Sequence, residues 1–200
     1  MIQLENTVIR YSKIILTELQ DSGITCWLAG GALRDYFMGA TIKTDYDLFF
    51  PDIGNYNRAE KFFKLKGAEI KWESENGMKI KYNNRTFDLV KKFFPDPQTT
   101  IDAFDFTVSM FAVDTKKVYF GESTFIDLAK RQMMINKITY PASSMSRAFR
   151  YYKKGFSMCQ GEMKKLVEAI QEMPKPEPAE NQNTDQPPSG ESGNFFRGID

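Results

Sequence analysis

The stretch from Trp27 to Phe50, "WLAGGALRDYFMGATIKTDYDLFF", carries most of the information about the fold. The apolar run that ends at Ala29 predicts a buried strand. Two glycines follow it, and the spacing of apolar residues in "ALRDYFM" predicts a helix that ends near Gly39. A strand, a glycine turn and a helix in this order suit a phosphate, because the backbone can approach it closely at the helix N-terminus. A tight connection without a ligand is the alternative interpretation.

Two aspartates alternate in "DYDLFF", the last part of the same stretch. On a strand, Asp45 and Asp47 point to one face while Tyr46 and Leu48 point to the other. Neighbouring carboxylates make each other harder to ionise, so a cation that neutralises them is expected. Mg2+ prefers a few carboxylates together with substrate phosphates. The pattern predicts an Mg2+ site, and a solvated strand end is the alternative.

A third carboxylate is expected on a neighbouring strand, as two-metal phosphoryl-transfer sites require. In "NGMKIKYNNRTFDLVKKF" the turn Asn83-Asn84 joins two strand-like runs into a hairpin, and Asp88 lies on the second run. Asp88 is therefore the candidate for the third acid. An exposed position on a half-buried strand is the alternative.

Four motifs, in order along the chain, together resemble one enzyme family. They are "LAGGALRDYFMG", "KTDYDLFF", "FDFTVSMFAVD" from Phe104 and "SSMSRAFRYYKKGF" from Ser143. They resemble segments of the class II tRNA nucleotidyltransferases (CCA-adding enzymes) and bacterial poly(A) polymerases, which belong to the polymerase-β-like superfamily. The likeness covers approximately residues 20–156. It implies an α+β fold, with a mixed sheet flanked by helices, followed by a short helical neck.

The resemblance also implies a role for each matching residue. The implied catalytic acids and Mg2+ ligands are Asp45, Asp47 and Asp88. The implied nucleotide-binding residues are Gly30, Gly31 and Arg34 at the triphosphate, Asp105 at the ribose, and Arg147, Arg150 and Lys153 along the neck helix. The spacing of three residues between the last three independently places them on roughly one helical face.

The sequence departs from the family pattern at two places. Ala103 and Phe104 stand where two arginines normally precede the motif's aspartate, which removes positive charge from the expected nucleotide pocket. Ser143 and Ser144 stand where an acidic pair normally reads the base edge. A serine hydroxyl both donates and accepts, so it imposes no fixed pattern on a base. We therefore expect a different or looser base preference than ordered addition of C and then A.

Composition limits the classes of function. The 200 residues are enough for one good core, or for a head domain with a small appendage. The net charge of +1 gives no general electrostatic case for binding long nucleic acids. The absence of histidine excludes histidine bases, histidine-bound metals and an HD-type phosphohydrolase, whereas phosphoryl transfer on Mg2+ needs no histidine.

The sequence divides into three segments. Residues 1–140 are predicted as the nucleotidyltransferase head, 141–173 as a helical neck remnant, and 174–200 as a disordered tail rich in Pro, Glu, Asn and Ser. The tail ends in "FFRGID", residues 195–200, which is either a docking peptide for a protein partner or an incidental apolar end. With two cysteines expected to be reduced thiols, no signal segment and no run of membrane length, a cytoplasmic protein is expected.

Two classes of function remain open. The first is an Mg2+-dependent nucleotidyltransferase that moves NMP from an NTP, ATP included, to a hydroxyl acceptor, with release of pyrophosphate. An RNA 3′ end is the favoured acceptor, which would make the protein an RNA-processing enzyme. The second is a non-catalytic nucleotide-binding or structural module that docks in a larger assembly through its tail. The three carboxylates favour the first class, and the altered neck keeps the second open.

Overall fold

The computed structural model describes residues 7–40 and 45–174. The predicted tail and its docking peptide at 195–200 lie outside these residues, apart from Pro174. The described chain folds as α+β, with one mixed sheet and seven α-helices. The two cysteines, Cys26 and Cys159, are free thiols.

Seven strands form the sheet in the order β3-β4-β5-β2-β1-β6-β7. Their bounds are β1 Trp27–Ala29, β2 Tyr46–Phe50, β3 Glu69–Ser74, β4 Gly77–Tyr82, β5 Arg85–Phe93, β6 Phe111–Val113 and β7 Val118–Phe120. The strands β2 and β5 pair in parallel, whereas the other neighbours are antiparallel. The predicted hairpin of β4 and β5 is present, and Asn83 and Asn84 both adopt the positive φ that such a tight turn requires.

The helices surround this sheet. Their bounds are α1 Thr7–Asp21, α2 Gly31–Phe37, α3 Ile53–Leu65, α4 Pro97–Asp102, α5 Thr124–Lys130, α6 Pro141–Lys153 and α7 Gln160–Gln171. The apolar residues of "FTVSMFAV" predict one strand over 106–113, but its first half is wrong, because Thr107–Ser109 form a short 3-10 helix and only Phe111–Val113 form a strand. That turn points Ser109 into a buried polar network instead of along a strand. The short helix α4, capped by Asp96, was not predicted.

The two faces of the sheet bury cores of unequal size. On one face, alternate strand residues such as Leu48, Phe87 and Phe111 share a core with apolar residues of helices that include α1 and α3. On the other face, a smaller core gathers Trp27, Phe49 and neighbouring apolar residues beneath α4. Because strand side chains alternate, polar residues between the large-core positions of β2, β4 and β5 point to this second face.

Candidate active site

The three aspartates predicted as metal ligands lie close together on the face with the smaller core. Asp47 of β2 and Asp88 of β5 are directly paired across the parallel strands. Asp45 immediately precedes β2. The side chain of Asp47 is buried, since the residue is only 1% exposed, whereas those of Asp45 and Asp88 are about a third exposed. The expected alternation is confirmed, because Tyr46 and Leu48 face the large core.

A lysine on the neighbouring strand lies between two of these acids. Lys79 of β4 is the register partner of Asp88, so Lys79, Asp88 and Asp47 form one row across three strands. The Lys79 Nζ is 2.5 Å from an oxygen of Asp45 and 3.3 Å from one of Asp88. Burial pushes the pKa of Lys79 down, but the hydrogen bond to Asp45 and the charge of Asp88 outweigh this and raise it above its ordinary value.

The donor set matches Mg2+ in kind. Three carboxylates that converge at one place supply the hard oxygen ligands that this ion prefers. Within residues 7–40 and 45–174, however, no three acidic, histidine or cysteine side chains are arranged so that they hold a metal directly. Lys79 bridges two of the three candidate ligands, Asp45 and Asp88. The three carboxylates match the ion in donor type only, and metal binding by them stays a prediction that requires the lysine ammonium to move aside.

The glycine turn begins beside the acids. Ala29, the last residue of β1, is the register partner of Asp47. Gly30 follows with a φ of 90°, a conformation that favours glycine, and its N–H donates to the carbonyl of Phe111 at 2.9 Å. Gly31 opens α2, and both glycines are buried. The turn thus stands next to the carboxylates, as a phosphate-contacting segment of the same site would.

Arg34 lies in a buried polar network that joins α2 to α6. The residue is 1% exposed, and its guanidinium donates to Asp35 at 2.7 and 2.9 Å and to Ser109 at 3.5 Å. It also lies over the ring of Tyr151, 4.7 Å from the centroid, while the Tyr151 hydroxyl contacts Ser109 at 2.7 Å. Lys154 closes the network on the second oxygen of Asp35 at 3.3 Å. The implied contact of Arg34 with a triphosphate stays a prediction.

Two of the other implied nucleotide ligands meet directly. Arg147 of α6 donates from Nε to the Asp105 carboxylate at 2.6 Å, and both side chains are mostly buried. Lys92 at the end of β5 adds charge nearby, with its Nζ 5.3 Å from the centroid of the Tyr140 ring. Burial lowers the pKa of Lys92, and the positive charges of Arg147 and Lys137 lower it further. This part of the molecule is therefore electropositive.

The other two neck residues, Arg150 and Lys153, differ in burial, although their spacing of three predicts one helical face. Arg150 is half-buried, and Lys153 is exposed. Lys154, which lies seven residues, about two helical turns, after Arg147, contacts the buried Asp35. Of the two serines at the start of α6, Ser144 is 1% exposed and its hydroxyl has no hydrogen-bond partner among the described residues.

The sequence interpretation missed Lys79, Lys92 and the Ser109–Tyr151 pair. For Lys79 the signal was present in the hairpin. A two-residue turn at Asn83-Asn84 fixes the register, and counting outward from it pairs position 79 with Asp88. For Lys92 and the buried pair no local pattern exists, because their partners come from elements far along the chain.

No helix in the described part of the chain is long and apolar enough to cross a membrane.

Comparison with curated proteins finds no match. Solved structures match at low identity. The Thermotoga maritima CCA-adding enzyme complexed with tRNA is 15% identical, with a TM-score of 0.64 over 86% of this chain and 44% of that one. The Bacillus stearothermophilus CCA-adding enzyme in complex with CTP is 15% identical, with a TM-score of 0.61 over 81% and 43%.

A structure described as a tRNA-processing enzyme in an apo form is also 15% identical, with a TM-score of 0.63 over 85% of this chain and 48% of that one. The chain thus spans about half the length of these structural relatives or less. The expected nucleotidyltransferase head fold is confirmed by these likenesses, which concern the fold alone.

At the level of sequence the family is a different one from the CCA-adding enzymes. The family model for Gabija anti-defense 2 family proteins matches residues 3–131, which contain the glycine turn and all three aspartates. The match covers more than half of the 200 residues. The chain therefore belongs to the Gabija anti-defense 2 family.

Proposed function

We propose that the protein is an Mg2+-dependent nucleotidyltransferase that moves NMP from an NTP to a hydroxyl acceptor and releases pyrophosphate. The observation that carries the proposal is the convergence of Asp45, Asp47 and Asp88 on one face, beside the Gly30-Gly31 turn. The fold shared with CCA-adding enzymes supports it. An RNA 3′ end is the favoured acceptor, because solved relatives are complexed with tRNA.

The residues of the chain divide the work between metal and nucleotide. The three aspartates would hold Mg2+, which when bound makes the acceptor hydroxyl more acidic and neutralises charge on the departing pyrophosphate. The backbone at Gly30-Gly31 would lie along the triphosphate. Arg147, held against Asp105, would present its charge toward the nucleotide from α6. Most of the rate enhancement would come from positioning and electrostatics.

The electropositive surroundings of Lys92, Lys137 and Arg147 support the nucleotide side of the proposal. They supply positive charge in a chain that has Ala103 and Phe104 where two arginines were expected. Phe104 packs against Phe49 in the smaller core, so its position serves the fold. A polyphosphate is attracted to such a cluster at low ionic strength and less at high salt.

We also propose that nucleotidyl transfer is the means of an action against Gabija, the role that the family's name states. A covalent nucleotide on a component of the defence, on its nucleic acid or on its protein, would change the charge and shape of that component. The acceptor hydroxyl on that component can be identified directly. Labelled NTP supplied to a mixture of RNA and Gabija components identifies it.

The test is Mg2+-dependent release of pyrophosphate with each of the four NTPs and total RNA. We expect release by the native protein, none by Asp47→Asn, and native release by Asp21→Asn, which removes an exposed acid at the end of α1. In cells that express Gabija, the native protein should suppress the defence, and Asp47→Asn at equal abundance should fail.

A non-catalytic nucleotide-binding module is the second candidate function. The specific observation in its favour is the Lys79 bridge between Asp45 and Asp88, since an ammonium already neutralises part of the negative charge of the three aspartates. This candidate predicts nucleotide binding without turnover, and suppression of Gabija that survives Asp47→Asn. Either result in the assays above would replace the first proposal with this one.

A further inference from the structure

We infer that Lys79 is the internal counter-ion of the acidic site and that a divalent cation must displace it before it can bind. This inference rests on the proposed function, because it concerns the same three aspartates. It adds a residue that controls when the metal binds. The observation is geometric, since one ammonium is in hydrogen-bond range of oxygens from both Asp45 and Asp88.

The position of Lys79 follows from the fold. The alternation along β4 buries Met78 and Ile80 in the large core, which leaves Lys79 on the opposite face. The register of the hairpin sets it directly across from Asp88. Gly77 keeps β4 and β5 close, because a Cβ at this position would lie 2.3 Å from the Leu89 carbonyl oxygen. The lysine therefore points at the acids because the backbone directs it there.

The ammonium and a divalent ion cannot share these ligands. Mg2+ binds carboxylate oxygens at about 2.0–2.1 Å in a nearly octahedral shell. The Lys79 Nζ lies 2.5 Å from one Asp45 oxygen, so an ion bound to that oxygen would overlap the ammonium. The lysine side chain is about one third exposed and has four flexible bonds, so it can turn toward solvent.

The exchange links the metal to the nucleotide. A metal ion that binds without nucleotide must displace the Lys79 ammonium from Asp45 and Asp88, and the protein then offers it only carboxylate ligands. An ion that arrives with a triphosphate brings phosphate oxygens as further ligands and offers the displaced ammonium a new anionic partner. The protein should thus bind metal weakly without nucleotide and much more tightly with it.

The experiment measures binding of Mn2+ alone to the full chain by electron paramagnetic resonance, without nucleotide. Mn2+ is a suitable probe because it shares the preference of Mg2+ for carboxylate ligands. Lys79→Met should bind Mn2+ about tenfold more tightly than the native protein, or more, since a charge-assisted contact no longer competes. Lys81→Met is the matched control, because Lys81 is on the same strand and face but pairs with Thr86. It should bind like the native protein.

Thermal melting gives a second readout that does not depend on turnover. Without the Lys79 ammonium the carboxylates of the three aspartates repel one another. Metal-free Lys79→Met should therefore melt at a lower temperature than the native protein and regain stability as Mn2+ is added. Lys79→Gln, which keeps a polar side chain without charge, serves if the methionine variant does not fold. Lys79→Arg should retain the weak metal binding of the native protein.

The outcomes separate this inference from the proposed function. Equal Mn2+ affinity in the native protein and both neutral variants would overturn the inference, while pyrophosphate release would still support the function. Tight Mn2+ binding by Lys79→Met without turnover in any variant would support the inference and overturn the function. Absence of Mn2+ binding in every variant would overturn both.

Discussion

Arg34→Ala is expected to destabilise the protein strongly, because Arg34 is the centre of the buried network between α2 and α6. The substitution removes the donors to Asp35 and Ser109 and the cation over the Tyr151 ring. It leaves Asp35, which is 5% exposed, without the guanidinium that its carboxylate contacts at 2.7 Å, while the longer contact to Lys154 at 3.3 Å remains. Breaking a buried ion pair from one side costs about 3–5 kcal/mol, since the remaining charge stays buried.

For a domain of this size each kcal/mol lowers the melting temperature by about 2–4 °C, so the expected drop is about 6–20 °C. Circular dichroism melts of the native protein, Arg34→Ala and Arg34→Lys measure it. Arg10→Ala, which removes an exposed arginine from α1, is the matched control and should change stability by less than about 0.5 kcal/mol.

Titration with NTP and NMP decides the remaining role of Arg34. If the residue only joins the two helices, Arg34→Lys should be more stable than Arg34→Ala, and NTP affinity should follow the fraction of folded protein. A native melting temperature together with a tenfold or larger loss of NTP affinity, and little loss of NMP affinity, would refute the structural role. That result would instead establish the triphosphate contact that the resemblance implies.

Asp47→Asn should abolish transfer with the melting temperature unchanged or slightly higher, because the like-charge repulsion with Asp88 is relieved; native activity would remove Asp47 from the site. Gly77→Ala should lower the free energy of unfolding by more than about 1 kcal/mol in a denaturant titration, since the position has a φ of 149° and no room for a Cβ. Rates with the four NTPs should differ only about fivefold for the native protein, as one adaptable hydroxyl contact contributes about 1 kcal/mol, and Ser143→Glu should sharpen the choice toward CTP and ATP. Strong native discrimination that this substitution leaves unaltered would mean that the base is read elsewhere.

The sequence predicted the parts of the site that depend on local periodicity. The alternation of "DYDLFF" placed Asp45 and Asp47 on one face, and the Asn83-Asn84 turn placed Asp88 on a hairpin strand. Both inferences need only the geometry of strands and two-residue turns, which act over a few residues. The parallel pairing of β2 and β5, which brings the acids together, connects segments that lie about forty residues apart in the chain.

What the sequence did not reveal are contacts that depend on packing between distant elements. The resemblance implies a triphosphate contact for Arg34, yet the side chain is enclosed by Ser109 and Tyr151, 75 and 117 positions further along. The strand expected to begin at residue 106 yields to a 3-10 helix for the same reason, because tertiary contacts override a weak local preference. A spacing of three residues on α6 likewise did not identify Lys154, which follows the helix, as a cation that contacts Asp35.

The network around Arg34 bears on where this protein can be divided. A boundary at residue 140 follows composition and resemblance, but it separates Arg34 and Asp35 from Tyr151 and Lys154, which cover them. A fragment that ends at residue 140 would expose the buried ion pair of Arg34 and Asp35 to solvent and would lose the Tyr151 ring that packs on Arg34. Helix α6 therefore covers the buried polar network around Arg34, so fragments made for binding or crystallisation need to retain it.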